Sequence, residues 1–363
     1  MEIAIIGAGL SGLACALRLE KDGIIPVIFE KRNEVGDRFI NGEILLAPLS
    51  FPIDDTMQYL SRKYNIHLNP LSPINKLIIY SKNKQAEITG HLGFTNIRGR
   101  HYQAWEKQLA RSLKSNIIFN SNYSYQDIYP SFDRIMIATG DAAYAEKINN
   151  FYTELSVCLK GAIIKGKFEL DTVRAWINRD ISPGGYGYLI PIASDKANIV
   201  IGLPQRKNKA DPDPRPYWEN FLPAVYKAID QDFEITSHFH IKDYMIGHCY
   251  RPQLANTYFI GNNFGAIMPF LGFGQFPSLL TGIYAAIDIT GKGNYQKLSA
   301  PLRKSYHHSV ILRKSMEKLT DSHFDKLVSF LNTGIGQRVF TGKINYLKAA
   351  SHLLRPLLQL NRE

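Results

Sequence analysis

Residues 1–30, MEIAIIGAGLSGLACALRLEKDGIIPVIFE, decide how the rest of the chain is read. A short apolar run, Ile3 to Ile6, leads into Gly7, Gly9 and Gly12 in G-x-G-x-x-G spacing. Leu10, Leu13, Ala14 and Leu17 then recur at helical period, and a second apolar run, Val27 to Phe29, ends at Glu30. The pattern predicts a strand, a tight turn, a helix and a second strand. In such a unit the first glycine permits the turn, the second lets a pyrophosphate approach the backbone, and the third lets helix pack on strand. The helix start, Leu10 and Ser11, offers free N–H groups to the phosphates. Glu30 lies 18 residues beyond Gly12, where a carboxylate accepts both ribose hydroxyls. A carboxylate there disfavours a 2′-phosphate, so FAD or NAD is expected before NADP.

The chain has 363 residues, enough for two domains or for one with a large insertion. Hydrophobic residues at 45% and charged ones at 21% are those of an ordinary soluble globular protein. No apolar run reaches the roughly 18 residues that span a bilayer. The N-terminus enters a strand directly, so no signal peptide is expected. Cys15, Cys158 and Cys249 are scattered without C-x-x-C spacing, so neither a metal site nor a disulfide framework is indicated, and a reducing cytoplasm fits. The formal net charge is +11. Such a charge suits nucleic acid, an anionic membrane surface or an acidic substrate. No nucleic-acid motif accompanies it, so nucleic acid is set aside.

Beyond Glu30, Lys31 and the stretch up to Gly36-Asp37-Arg38 place a glycine and an arginine at the distance of the flavoprotein stretch E-x-x-x-x-x-G-G-R. Residues 39–97 break the dinucleotide pattern, with strands expected at Lys76–Tyr80 and Gln85–Ile88. A helix is expected from about Arg98 to Leu113, and a strand over Asn116 to Tyr125, which includes Tyr123. Phe132 to Asp141 reads as an apolar strand ending in Ala138-Thr139-Gly140, the second short signature of two-dinucleotide-fold flavoproteins. Strand alternation then fills Leu155 to Leu203, read as an antiparallel sheet carrying a substrate surface. A proline-rich loop covers 207–216, and Tyr217 to Asp230 reads as a helix. A strand at Tyr258 runs into a turn at Gly261-Asn262, and Gly272 and Gly274 precede an apolar helix, Leu279 to Ile289. The C-terminal part is helical and basic, and its amphipathic stretch 347–358 could lie on a lipid surface.

These stretches together resemble the geranylgeranyl reductase-like family of FAD-dependent oxidoreductases, related to the aromatic hydroxylase and flavin halogenase fold. Three matches carry the resemblance. They are GAGLSGLACALRLE, the segment from Pro183-Gly184-Gly185 through Tyr186-Gly187-Tyr188 to Pro191, and Gly261 through Gly274. Asn262 stands where the family usually has Asp, Tyr188 where it has Trp, and no cysteine occurs around Asn41-Gly42-Glu43. Both halogenase tryptophans are missing, so halogenation is discounted.

The resemblance implies an α/β fold: a Rossmann-like FAD-binding domain, an antiparallel β-sheet substrate domain and a helical C-terminus. The expected division is 1–40, 98–150 and 250–292 for FAD, 41–97 and 151–249 for substrate, and 293–363 for the helical region. FAD would be held by Gly7, Gly9, Leu10, Ser11, Gly12, Glu30, Lys31, Arg38, Arg100, Tyr123, Thr139, Gly140, Gly261, Asn262, Gly272 and Gly274. Tyr186 and Tyr188 would be the catalytic residues, facing an apolar substrate beside the flavin. No second complete Rossmann fingerprint appears, so NAD(P)H or a ferredoxin-type electron-carrier protein would supply electrons from outside. The expected activity is a reductase or dehydrogenase on an apolar, isoprenoid or lipid-like substrate. A flavin monooxygenase is the alternative, and a non-enzymatic prenyl-binding protein of related fold the third reading. The expected location is cytoplasmic, with peripheral membrane contact through the basic C-terminus left open.

Overall fold

A computed structural model describes residues 1–50, 52–206, 212–342, 345 and 347–352. It opens with β1 (Ile3–Ile6), α1 (Leu10–Lys21) and β2 (Val27–Phe29), in the predicted order. The chain then leaves this unit for β3 (Asn41–Leu46), the short α2 (Thr56–Tyr59), β4 (Ser72–Tyr80) and β5 (Gln85–Arg98). It returns through α3 (Trp105–Arg111), β6 (Ile117–Ile118), α4 (Tyr125–Ile128), β7 (Arg134–Ile137) and α5 (Ala143–Lys147). Next come β8 (Phe151–Lys165), β9 (Thr172–Trp176), β10 (Tyr186–Ala193), β11 (Lys196–Arg206), α6 (Arg215–Ile229) and β12 (Glu234–Cys249). Then follow β13 (Gln253–Leu254), β14 (Thr257–Phe259), α7 (Gln275–Ile289), α8 (Tyr295–Met316), α9 (Asp321–Leu331) and α10 (Gly334–Thr341), with a further helical stretch at 347–352.

Two sheets result. The first runs β13-β14-β7-β1-β2-β6, parallel throughout except for the β13–β14 pair. Its strands are short and apolar because helices cover them, as a parallel sheet requires. Ile3, Ala4 and Ile5 of the central β1 are buried, and α1 and α7 pack close together over them. Gly282 of α7 lies against the Ser11 backbone, where any side chain would collide. This close approach explains why α7 is apolar almost all round.

The second sheet runs β12-β8-β11-β10-β9-β4-β5-β3. Side chains alternate between its faces. Leu189 and Ile201 point to one face, which α6 covers with Trp218, Phe221 and Val225. Gly187 is bare because the Phe221 ring occupies the space of a side chain there. Tyr186, Tyr188 and Ile190 point to the other face, toward the first sheet.

Three expectations are corrected and one element is added. The second sheet is not wholly antiparallel, because β4 and β9 pair in parallel from Lys76–Thr172 to Tyr80–Trp176. The helix expected from Arg98 begins only at Trp105. Arg98 still belongs to β5, and Gly99, at φ +93°, turns the chain where a side chain would strike the Phe39 carbonyl. The strand expected over Asn116–Tyr125 shrinks to Ile117–Ile118, and Tyr125 starts a helix capped by Ser124. The 16-residue β12 has no counterpart in the sequence reading. Residues 207–211 of the proline-rich loop and 353–358 of the amphipathic stretch lie outside the described residues.

Candidate functional site: a cavity between the two sheets

The loop after β1 builds one wall. Gly7 turns at φ +112°, with the Ala138 backbone where a side chain would stand. Gly12 packs against the Gly7 carbonyl and so serves the contact of helix and strand. Gly9 differs: its backbone is ordinary extended chain at φ −87°, and no protein atom lies within 4 Å of where its side chain would be. As the N-cap of α1 it offers no side-chain acceptor, so the N–H groups of the first turn keep no partner within the helix. Glu30 is held at the end of β2, its two oxygens accepting from the backbone N–H of Ala8 at 2.8 Å and of Arg32 at 3.0 Å.

The opposite wall joins residues 138–141 to 261–275. Buried Asn263 donates from Nδ2 to Thr139 O at 3.0 Å, Thr139 Oγ1 at 2.8 Å and Asp141 O at 3.0 Å. Asn262 donates to Gly140 O at 2.6 Å and to the Tyr244 hydroxyl at 2.9 Å. An uncharged amide suits this position, since it serves here as a donor to two oxygens. Gly261, at φ +62°, abuts the Ser11 side chain. Gly140 and Gly272, like Gly9, have open space where a side chain would be.

Between these walls and the second sheet lies a cavity of about 1950 Å³. Its middle is lined by Tyr186 and Tyr188, whose rings are 6.0 Å apart. Tyr186 donates its hydroxyl to Leu271 O at 2.6 Å, and Tyr188 to Asn41 Oδ1 at 3.4 Å. Burial, then nearby Glu43 or the neighbouring phenol, pushes both phenols up, so both stay protonated at neutral pH. The far end is apolar: Leu77, Ile79 and Val173 from the sheet and Ile177 just after β9 face Phe324, Leu331 and Phe340 from the C-terminal helices.

One charged cluster, unread from the sequence, sits where the two sheets meet. Glu43 lies 4.0 Å from Arg38 and 3.6 Å from Arg98, and accepts from Asn41 at 3.1 Å and from Gln275. Arg98 pairs further with the buried Glu106 at 2.7 Å. Burial pushes the Glu43 carboxyl up, but Arg98, Arg38 and the hydrogen bonds outweigh it and hold it below the usual carboxylate range. The one sequence signal was a carboxylate directly before the apolar run Ile44-Leu45-Leu46.

Of the residues singled out in the sequence, all but two line this cavity. Gly7, Gly9, Leu10, Ser11, Glu30, Lys31, Arg38 and Tyr123 gather at the end near α1, with Thr139, Gly140, Gly261, Asn262, Gly272 and Gly274 along the opposite wall. Gly12 is taken up in packing. Arg100 points to solvent and pairs with Asp37 at 2.7 Å, because the turn at Gly99 swings it outward. No cysteine lines the cavity among the described residues, and Cys15, Cys158 and Cys249 are all buried thiols. Three glycines with open faces, unpaired N–H groups at a helix start and a fixed carboxylate fit the phosphates and ribose of FAD.

Comparison with known proteins agrees with this geometry. Residues 154–239 match the model of the geranylgeranyl reductase catalytic domain, and residues 5–69 that of an NAD(P)-binding Rossmann-like domain. Digeranylgeranylglycerophospholipid reductase 2 of Methanosphaera stadtmanae is 23% identical over 356 residues, covering 90% of this chain and 84% of that protein. A geranylgeranyl bacteriochlorophyll reductase-like protein from Thermoplasma acidophilum superposes with a TM-score of 0.72 at 14% identity, over 97% of this chain and 98% of that one. A flavin-dependent brominase superposes at 0.67 and 13% identity, over 99% and 98%. The resemblance to geranylgeranyl reductase-like proteins therefore stands, and the chain is a flavin-dependent oxidoreductase.

Proposed function

We propose that this oxidoreductase is an FAD-dependent reductase or dehydrogenase of an apolar, isoprenoid or lipid-like chain. The observation that carries the reading is the cavity's size and gradient. At about 1950 Å³ it exceeds the roughly 300–1,000 Å³ of an ordinary small-molecule site, leaving room for a second, long ligand beside a dinucleotide. Its polar end carries the dinucleotide-binding features and its other end is walled by aliphatic and aromatic side chains.

When bound, FAD would supply the two-electron chemistry, hydride transfer to one carbon of a carbon–carbon double bond with a proton taken up at the other, or the reverse. The chain's own residues bind, orient and exclude water. The first-turn N–H groups of α1 and Glu30 anchor the dinucleotide. Tyr186 holds the loop at Leu271 in place, and Tyr188 forms a rigid aromatic wall beside it. Leu77, Val173, Phe324 and Leu331 keep the far end dry. Electrons arrive from outside, from NAD(P)H or from an acidic ferredoxin-type carrier attracted by the basic surface.

The test is anaerobic reduction of the purified holoprotein followed by mixing with oxygen. Plain reoxidation is expected. A long-lived hydroperoxide-type absorbance would replace this reading with the monooxygenase, and a colourless protein that takes up no FAD would replace it with the non-enzymatic prenyl binder. Tyr188→Ala is expected to lower turnover while FAD stays bound, and unchanged turnover would remove the tyrosine wall from the substrate site.

A further inference from the structure

The helix α9 separates the apolar end of the cavity from solvent by a single layer. Phe324, Val328 and Leu331 on its inner side are buried, and Phe324 and Leu331 line the cavity. Its outer side carries Leu327 and Phe330, one turn apart, 43% and 44% exposed. Leu327 also reaches the cavity, so inner and outer apolar surfaces are continuous through it. The turn into α10 adds Ile335, 70% exposed. That turn is tight: Thr333 donates to Phe330 O at 2.7 Å, and Gly336 lies against the Phe330 backbone. Phe330 and Ile335 are thus neighbouring apolar side chains at the tip of a helical hairpin.

The hairpin is held firmly to the sheet. Asp325 accepts from Ser81 at 2.6 Å and Asn83 at 2.8 Å, Asp321 accepts from Arg179 N at 3.1 Å, and Gln337 donates to Glu87 O at 3.0 Å. These bonds engage both acids of α9 and leave Lys326 and Arg338 exposed, without an ion pair among the described residues. In sequence the bias extends further: from Lys326 to Arg362 there are Lys326, Arg338, Lys343, Lys348, Arg355 and Arg362, and no Asp or Glu. Exposed large apolar side chains flanked by two such cations are the chemistry of a surface that meets anionic lipid. No helix among the described residues is long and apolar enough to cross a membrane, so contact through such a surface is peripheral.

We infer that the α9–α10 tip, through Leu327, Phe330 and Ile335 flanked by Lys326 and Arg338, docks on an anionic lipid bilayer. The cavity then opens toward the membrane, and an apolar chain passes from bilayer to site across one helix without entering water. This purpose rests on the apolar-substrate reading, but the docking is measured without turnover, so the two can fail separately.

The experiment is cosedimentation of the full-length holoprotein with phosphatidylglycerol vesicles and, in parallel, phosphatidylcholine vesicles. Wild type is expected to pellet with the anionic vesicles and to be released by salt. Phe330→Ser/Ile335→Ser is expected to stay in the supernatant, with its flavin absorbance and melting temperature retained because both side chains are exposed. Lys326→Gln/Arg338→Gln is expected to bind roughly twenty-five-fold more weakly, at about fivefold per cation. Wild type left in solution with both vesicles, or tip variants that pellet like wild type, would overturn the inference. So would a wild-type dimer in light scattering that the Phe330→Ser/Ile335→Ser change dissociates, since the patch would then serve a second copy.

Discussion

Replacing Gly9 separates cofactor binding from folding, because its surroundings differ from those of Gly12. A Gly9 side chain meets no protein atom within 4 Å and needs no unusual backbone, whereas one at Gly12 collides with the Gly7 carbonyl. Gly9→Val therefore costs the fold about 1 kcal/mol or less, the loss of a tolerable N-cap. It places methyl groups where the pyrophosphate approaches. Losing two hydrogen bonds to a charged phosphate, each about 1.5–3 kcal/mol, totals roughly 3–6 kcal/mol. That is about a hundredfold to ten-thousandfold in Kd. The assay is titration of apoprotein with FAD by flavin fluorescence, paired with melting curves. At FAD about a hundredfold above the wild-type Kd, wild type gains roughly 2.7 kcal/mol of stability and the variant almost none. Gly12→Ala gives the reverse pattern, a fold destabilised by about 1–3 kcal/mol from overpacking. Gly9→Val with wild-type FAD affinity would refute the phosphate role of the loop, and Gly9→Val that fails to fold would refute the account of its open face.

Two further outcomes follow from the charged and hydroxyl contacts. Glu43→Gln leaves Arg98 and Arg38 less compensated and is expected to cost up to about 3 kcal/mol, at or below the low end for a broken buried pair. Because the folded pKa of Glu43 is depressed, its contribution is full above the ordinary carboxylate value of about 4.3 and is lost as pH falls through the folded pKa. Urea midpoints of wild type and Glu43→Gln should differ by a constant amount above about pH 5 and converge in acid; a gap that widens in acid would refute the pairing. Tyr186→Phe removes the donor to Leu271 O and should lower stability by about 1–3 kcal/mol while retaining FAD, measured by chemical denaturation with flavin absorbance. No change in either would make that hydrogen bond incidental.

What could be read from the sequence was what is local. The glycine spacing and helical period of residues 3–29 are complete within one unit, and the structure reproduces their order. Period-two alternation likewise marked β9, β10 and β11. In β12 the same signal is broken by register shifts at Ile235/Ser237, Ile241/Tyr244 and Ile246/Gly247, so its apolar residues never alternate long enough to declare a strand. Asp243, at φ +50°, sits within one of these irregularities. The parallel pairing of β4 with β9 joins residues nearly a hundred positions apart, and nothing in either strand states its partner's direction. The Glu43–Arg98–Glu106 cluster escaped for the same reason, since its members become a network only when β3 pairs with β5.

The segment from Asn262 to Gln275 touches the second sheet and, through Asn262 to Gly140 and Asn263 to Thr139, the turn that follows β7 of the first. It reaches the second sheet through Asn262 to Tyr244, Leu271 to Tyr186, and Gln275 to Asn96 and Glu43, while Gly261 beside it is fastened to α7 by Thr281. It works as a clasp rather than a wall. A ligand that tightens the clasp from the dinucleotide side also steadies Tyr186 and the strand behind it, and one that presses on the tyrosines steadies the clasp in return. Thermodynamic linkage makes such a gain mutual: affinity added at one end of the cavity is returned at the other by the same factor.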